Sequence, residues 1–345
     1  MRQLSYCDAL REAQAQEMER DPTVFVYGIG CPTHAKIFGS IAGLVEQFGP
    51  SRCMDTPISE SAMTGFGLGA ALGGLRPIHV HIRVDFLINA MGQLVNMVSS
   101  MNYATRGRGV PLTIRAIVGR GWGQGYQHSK SLHSIFAHIP GLKVVAPTRA
   151  RDAKGLLTAA IRDDNPVLVI EHRWLYWAED DVPEEPYETP IGPSVRLRAG
   201  DDLTIVATSW MNVEALKAAE ILQQVGVGVE IIDPRTLAPF DDTMVMESVE
   251  KTGRCLIADN DWVSCGFGAE VAARLSEKPL GLLKSPVRRI GFAPTPCPTV
   301  RVLENEFYPN AAKIIRAAEE MLDLPKIDLS DEDFFSHERR FKGPF

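Results

Sequence analysis

The chain has 345 residues, and its size, composition and charge exclude several classes of protein. Hydrophobic residues make up 45% and charged residues 23%, as in an ordinary globular protein, and a chain of this length is expected to form two domains. The net charge of -7 comes without a basic stripe, so we expect no nucleic-acid partner. No apolar run reaches the roughly 18 residues of a membrane span and the N-terminus lacks a signal-peptide core, so we expect a cytoplasmic protein.

The first half of the chain alternates short apolar runs with helical patterns. Each run is rich in β-branched residues and is bounded by Gly, Pro or Asp, which predicts strands joined by crossover helices in a parallel α/β sheet. The predicted strands are Val24–Tyr27, Ile78–Ile82, Leu112–Val118, Lys143–Ala146 and Val167–Ile170.

A candidate acid lies in the segment Asp55-Thr56-Pro57-Ile58-Ser59-Glu60. Thr56 can cap a helix that begins at Pro57, which would put Glu60 near the end of its first turn. An acid in that position can simply complement the helix dipole. The helix that follows, at residues 65–74, is rich in glycine, which lowers helix propensity. We therefore expect another chain segment to pack closely on it.

A candidate histidine lies in Gln127-His128-Ser129, directly after a glycine-rich loop at residues 119–125. A single histidine is more often structural, but an imidazole at the end of such a loop can transfer protons near neutral pH. The loop lacks the Lys-Ser/Thr of a phosphate-binding loop, and neither glycine run has the dinucleotide fingerprint. A nicotinamide-dependent dehydrogenase is therefore disfavoured.

The character of the chain changes between residues 174 and 198, where it becomes acidic and dotted with prolines, as in a linker. A second alternation predicts strands Leu203–Ala207, Val229–Ile232, Cys255–Ala258 and Val287–Ile290, and helices Val213–Val225 and Asn310–Leu322. We predict α/β domains at residues 1–190 and 201–325, joined by a linker at 191–200. The charged, aromatic tail at 326–345 is expected to lie on a partner subunit.

Together these segments resemble the β subunit of the thiamine-diphosphate-dependent 2-oxo acid dehydrogenases, the family of the pyruvate and branched-chain enzymes. The resemblance runs from about Tyr6 to Ala318. It implies a pyrimidine-binding, transketolase-like domain followed by a transketolase-type C-terminal domain. It also implies that Glu60 hydrogen-bonds a ring nitrogen of the cofactor's aminopyrimidine, and that His128 handles protons in acyl transfer.

The resemblance further implies thiamine diphosphate shared with an α subunit, in an α2β2 heterotetramer. The chain lacks the Gly-Asp-Gly segment, with a later Asn, that holds magnesium and the diphosphate, so Mg²⁺ is expected on the α subunit. Further cofactor contacts are expected from Ile58, Arg83 and Phe86, and contacts to substrate or acceptor from Arg83, Arg120, Gln127 and His128. Ala160, Asp163 and Asn165 match positions that hold potassium in some members of the family. A helix stopped by Pro166 explains the same three residues.

The sequence departs from the family around the expected site. Gly28-Ile29-Gly30-Cys31 replaces the usual Gly-Glu-Asp/Glu-Val, Val80 replaces a glutamate, and Arg83-Val84 stands where an aromatic is expected. Arg83, with Arg115 and Arg120 close to it, could bind a phosphorylated or carboxylated acceptor, because guanidinium is a bidentate donor. Pairing of Arg83 with Asp85 or another acid explains it equally well.

The predicted function is decarboxylation of a 2-oxo acid, with transfer of the acyl unit to the lipoyl group of an acyltransferase. One alternative is a carboligase or transketolase-like enzyme that transfers two carbons to an aldehyde or sugar. Another is a subunit that only assembles or regulates. The candidate Glu60 and His128 argue against a purely structural subunit.

Overall fold

The computed structural model describes residues 2–33, 37–119, 123–277 and 283–335. The chain divides into two compact units. Among the described residues, the first unit contains those up to 191 except 123–126, and the second contains 123–126 and 192–335. Each unit is built on a sheet with helices, which confirms the predicted α/β class.

The first unit contains all five strands that the sequence predicts there, with ends that agree within two residues. Its strands are β1 (Arg2–Ser5), β2 (Val24–Gly28), β3 (Cys53–Met54), β4 (Arg76–His81), β5 (Thr113–Val118), β6 (Lys143–Val145), β7 (Val167–His172) and β8 (Glu179–Val182). Its helices are α1 (Tyr6–Arg20), α2 (Leu44–Phe48), α3 (Glu60–Leu72), α4 (Val84–Leu87), α5 (Met91–Gln93), α6 (Met101–Ala104), α7 (His133–Ala137) and α8 (Ala150–Arg162). A π-helical turn at Leu94–Val98 and 3₁₀ turns at Ile88–Ala90 and Arg173–Leu175 complete it.

The sheet of the first unit is parallel, in the order β6-β7-β5-β4-β2-β3. Strands β2, β5 and β7 are buried along their whole length, as their largely apolar sequences predict for a sheet covered on both faces. Because all these strands run the same way, their carboxyl ends share one edge. The segments that follow β3, β4 and β5 therefore start from a common edge, which is where open parallel sheets bind ligands.

The acidic, proline-dotted stretch after Trp174 is not a free linker. Strand β8 pairs with β1 in an antiparallel ribbon. The buried Lys154 ammonium of α8 donates to the carbonyls of Pro183, Glu184 and Glu185 at 2.7, 2.8 and 3.1 Å. This stretch belongs to the first unit because those carbonyls satisfy a buried charge.

The second unit has strands β9 (Val195–Arg198), β10 (Leu203–Ala207), β11 (Val229–Asp233), β12 (Thr236–Ala238), β13 (Cys255–Trp262) and β14 (Arg288–Phe292). Its helices are α9 (Trp210–Gln224), α10 (Thr243–Thr252), α11 (Phe267–Ser276), α12 (Arg301–Phe307) and α13 (Ala311–Leu322). Its central sheet has the order β14-β13-β10-β11-β9, with only β9 antiparallel to its neighbour. Strand β9 lies inside the segment expected to be a linker, where Val195 and Leu197 alternate with arginines.

The apolar core of the second unit lies between the central strands and helices α9 and α13. The described part of the C-terminal tail packs on this core through Ile327, Leu329 and Phe334. The Lys217 ammonium lies 4.5 Å from the centre of the Phe334 ring. The tail up to residue 335 therefore covers its own domain, contrary to the expectation that it lies on a partner subunit. Tail residues beyond 335 lie outside the described part of the chain.

Candidate active site

Glu60 is the first residue of α3, so the predicted start of this helix at Pro57 is wrong. The Asp55 carboxylate accepts hydrogen bonds from the backbone N–H groups of Gly30 at 2.6 Å and Thr56 at 2.9 Å. Pro57 disfavours a helical conformation at Thr56, and together these effects delay the helix. Glu60 is half-buried, and among the described residues no hydrogen-bond or ion-pair partner contacts its carboxylate.

Helix α3 rests on an aromatic stack in the sheet below it. The Tyr27 ring of β2 stacks on the His79 imidazole of β4, with 4.3 Å between centroids and 10° between planes. The Tyr27 hydroxyl donates to the carbonyl of Met63 in α3 at 3.0 Å. A Cβ atom at Gly67 would lie 2.1 Å from that hydroxyl, so the close approach predicted for this helix is met within the same domain. The stack therefore fixes the distance between the sheet and the helix that begins with Glu60.

The stack continues into a second histidine that sequence reasoning missed as a pair. His79 and His81 are two residues apart in a strand and so share a face. Their ring nitrogens, Nδ1 of His79 and Nε2 of His81, lie 3.2 Å apart, and both side chains are buried. Burial lowers the pKa of His81 to about 3, and burial with the nearby His81 lowers the pKa of His79. Both imidazoles are therefore neutral at physiological pH.

His128 lies after a 3₁₀ turn at Gly125–Gln127 and contacts the segment that follows β4. The Phe86 ring meets the His128 imidazole edge-on, with 5.3 Å between centroids and 81° between planes. Arg83 Nη1 donates to the carbonyls of His128 at 2.8 Å and Gly119 at 3.0 Å. The structure therefore brings together three predicted site residues: Arg83, Phe86 and His128.

The other predicted site residues lie apart from this group or outside the described chain. Arg120 falls among the residues that the structure does not describe. Ile58 is 82% exposed and precedes α3, and Gln127 is also exposed. Strand β3, which leads to Glu60, lies two strands from β4, a separation of about 10 Å. In the described residues no contact joins Glu60 to His128.

Arg115 does not line this group, contrary to the expectation that it lies close to Arg83. Its guanidinium is wholly buried and binds the Glu171 carboxylate through Nε and Nη2, at 2.5 and 2.8 Å. Gln14 and Ser40 accept its remaining hydrogen bonds, both at 2.8 Å. A buried arginine needs such partners, so this one serves the core.

His172, at the end of β7, is a neighbour of the glycine loop that the sequence did not reveal. Gly119 has a φ of +92°, and a Cβ atom there would lie 2.8 Å from the His172 ring. Glycine is therefore required at 119 for both its backbone conformation and its clearance. The signal in the sequence was the Glu171-His172-Arg173 run at the end of a buried strand.

The three residues compared with a potassium site lie at the carboxyl end of α8, where protein cations meet their oxygens. Arg76 Nη1 donates to the Asp163 carbonyl at 3.1 Å, and Lys143 pairs with the Asp163 carboxylate. The Ala160 carbonyl accepts a hydrogen bond from the Thr113 hydroxyl of β5 at 3.1 Å, and the backbone N–H of Asn165 donates to the Asp163 carboxylate at 2.9 Å. Among the described residues, no group of three or more His, Cys, Asp or Glu side chains is arranged so that it could bind a metal ion.

No helix in the described ranges is long and apolar enough to cross a membrane.

Two family models match the chain: the transketolase pyrimidine-binding domain at residues 2–177 and the transketolase C-terminal domain at residues 192–314. A split-gene transketolase, solved as an inactive β4 tetramer, has the same fold, with a TM-score of 0.76 and 21% identity over 94% of this chain and 99% of its own. The chain is thus built as a transketolase-type enzyme subunit.

Relatives of similar length narrow the class. The 2-oxoisovalerate dehydrogenase subunit beta of Bacillus subtilis is 38% identical over 93% of this chain and 99% of its own. The acetoin:2,6-dichlorophenolindophenol oxidoreductase subunit beta of Cupriavidus necator is 39% identical, over 92% and 97%. The pyruvate dehydrogenase E1 component subunit beta of Rickettsia felis is 37% identical, over 92% and 98%. The chain belongs to the family of β subunits of the thiamine-diphosphate-dependent 2-oxo acid dehydrogenases.

Proposed function

We propose that this chain is the β half of an enzyme that decarboxylates a 2-oxo acid and passes the acyl unit to a lipoyl group. The observation that carries the proposal is the Glu60 carboxylate, half-buried at the first residue of α3 and without a partner among the described residues. An acid in this state is available to a protonatable nitrogen of a bound ring. The β-subunit relatives favour this function over a transketolase-like transfer or a purely structural subunit.

The side chains at the sheet edge suit the pyrimidine half of thiamine diphosphate. The cofactor supplies an electron sink for the electrons that decarboxylation leaves behind. Ile58 and Phe86, 82% and 37% exposed, offer apolar surface to its ring. Glu60 holds and returns a proton at the ring nitrogen. His128 moves a proton in the transfer to the acceptor, a role for which imidazole is suited near neutral pH.

We propose that an α subunit supplies the diphosphate and Mg²⁺ half of the site, since the sequence lacks that motif. An exposed apolar surface around α3 and the segment after it supports an α2β2 assembly. Phe66 is 44% exposed, Met97 41% and Tyr103 92%, and the glycines at 69 and 92 have open space above them. Exposed apolar side chains grouped on neighbouring segments of the chain are typical of a protein interface.

The donor set around Asp163 fits a helix-end clamp better than a potassium site. Carbonyls at the carboxyl end of a helix attract cations, and here Arg76 and Lys143 fill that role. We propose that these two side chains replace a bound potassium ion.

A second candidate function is that of an acetoin:2,6-dichlorophenolindophenol oxidoreductase. The relative from Cupriavidus necator that carries this name is as similar to the chain as the two 2-oxo acid dehydrogenases. Dye reduction by the assembled enzyme with pyruvate, 2-oxoisovalerate and acetoin in turn separates the two candidates. Turnover of acetoin alone would reject the 2-oxo acid proposal.

Calorimetry tests the shared site. Thiamine diphosphate with Mg²⁺ should bind tightly to the complex of this chain with its α partner, and at most weakly to the chain alone. Tight, magnesium-dependent binding by the chain alone would show that it holds the diphosphate itself.

A further inference from the structure

A short segment after β4 holds the chain around His128 at three points. Arg83 donates to the His128 carbonyl at 2.8 Å, and the Phe86 ring lies edge-on to the His128 imidazole. Between them, the Asp85 carboxylate pairs with the Lys130 ammonium at 3.1 Å. The three contacts fix the backbone of His128, the plane of its ring and the direction of the chain that leaves it.

The burial of Arg83 shows that its charge is directed into the protein. The residue is only 4% exposed, and the nitrogen that contacts His128 also donates to Gly119 at 3.0 Å. Gly119 is the first residue of the glycine-rich loop, and His128 lies three residues after its last glycine. A single buried guanidinium therefore joins the start of the loop to the segment that follows it through charge-assisted hydrogen bonds, which are stronger than neutral ones.

The Asp85 carboxylate is buried, and its ion-pair partner, Lys130, lies two residues after His128 in the chain. Its side chain is 4% exposed, whereas that of Lys130 is 32% exposed. Burial raises the pKa of Asp85, and the Lys130 and Arg83 cations oppose that rise. The ion pair thus keeps an anion inside the protein only while residue 130 stays in place.

We propose that Arg83, assisted by Asp85, is a positioning residue for His128 and does not clamp a charged acceptor. The inference rests on the proposed role of His128 in proton transfer. It explains why an arginine stands after β4, where the family usually has other residues. Nη1 of Arg83 carries two N–H donors and so reaches both carbonyls at once, whereas a small apolar or aromatic side chain cannot.

The first test observes the imidazole directly. The assembled α and β complex is prepared with ¹³Cε1-labelled histidine, and the His128 resonance is assigned from its loss in His128→Ala. Arg83→Ala should shift and broaden that resonance. Arg76→Ala is the matched control, because Arg76 lies at the other end of β4 and also donates to two carbonyls, of Ile161 and Asp163, both at 3.1 Å. It should leave the His128 resonance unmoved.

The second test measures acylation of a lipoylated domain in a single turnover. Arg83→Ala should slow this step by on the order of 10²-fold, the usual effect of misplacing a reacting group by about 1 Å. It should leave the apparent binding of the domain unchanged. In the His128→Ala background the same substitution should add no further loss, because residues that act as one unit are not additive.

The outcomes separate the inference from the proposed function. An unmoved His128 resonance in Arg83→Ala, or weaker domain binding in both backgrounds, overturns the positioning role. A moved resonance with normal acylation in His128→Ala keeps the positioning role and rejects the proposed role of His128. If Arg83→Ala fails to assemble, Asp85→Asn removes the ion pair at nearly constant size. It should also move the resonance, and a wild-type spectrum there contradicts the inference.

Discussion

The contact between α3 and Tyr27 allows a matched pair of glycine substitutions to test how Glu60 is held. Gly67 faces the sheet, and an added Cβ would lie 2.1 Å from the Tyr27 hydroxyl and 3.0 Å from Leu112 Cδ1. Gly69, two residues later, is exposed and has nothing within 4 Å. The same change, Gly→Ala, therefore meets opposite surroundings in one helix.

The expected magnitudes follow from these distances. Alanine stabilises a helix interior by about 1 kcal/mol relative to glycine, and this is the only effect on the stability of the chain expected at 69. At 67, overpacking costs about 1–3 kcal/mol, and loss of the Tyr27 hydrogen bond to Met63 costs about 1–3 kcal/mol more. Gly67→Ala should therefore destabilise the chain by about 1–5 kcal/mol, while Gly69→Ala should be neutral or stabilising.

Urea unfolding of the full chain, followed by tryptophan fluorescence, measures both effects. Tyr27→Phe removes the hydroxyl that the new methyl group meets, so it should reduce the cost of Gly67→Ala in a double-mutant cycle. Gly69→Ala should also weaken association with the α partner if the exposed face of α3 is the interface. Equal stability of the two alanine variants would refute the proposed packing of α3 on Tyr27.

Three further predictions concern charge. The pKa of His81 is about 3 in the folded state and near 6.5 when unfolded, so the unfolded chain binds the extra proton between these values. The free energy of unfolding that depends on neutral His81 should be fully present above pH 6.5 and should fall on acidification by up to about 1.4 kcal/mol per pH unit. His81→Leu should reduce that slope in acid titrations. Burial raises the pKa of Glu214 from 4.5 to about 7, against hydrogen bonds from Ala311 and Trp210, so the folded chain binds the extra proton. The stability that protonated Glu214 contributes should be complete below pH 4.5 and be lost as the pH rises through 7, and Glu214→Gln should remove this loss in the same titrations. Added KCl should not raise the melting temperature above that in NaCl, because Arg76 and Lys143 already bind the Asp163 oxygens. A rise specific to potassium would show that the chain binds this ion.

Local patterns were enough to predict the central strands, because buried parallel strands read as continuous β-branched runs. The polar pair β1 and β8 was missed, since an edge ribbon between distant segments has no apolar period. The start of α3 was placed too early because Thr56 is a good cap, and the competing bonds of Asp55 depend on tertiary contact with Gly30. Glu60 and His128 were singled out from local patterns, whereas their roles came from the family resemblance and are proposals.

The surroundings of Arg83 could not be read from the sequence. Its partners are backbone carbonyls of Gly119 and His128, which carry no residue-type signal. By contrast, the spacing of His79 and His81 does predict a shared face of β4, although not their contact with Tyr27. Sequence patterns thus predicted the positions of the central strands along the chain better than the partners of buried polar groups.

Exchange of the thiazolium proton in the assembled enzyme tests the account most directly. Glu60→Gln keeps the shape of the side chain and removes its ionisable proton, so exchange followed by NMR should slow by about 10² to 10⁴-fold with assembly intact. Glu270→Gln, which removes another acid from a first helical turn, is the control and should exchange at the wild-type rate. A wild-type exchange rate in Glu60→Gln would contradict the central role of Glu60 and leave it as an acid that only complements the dipole of α3.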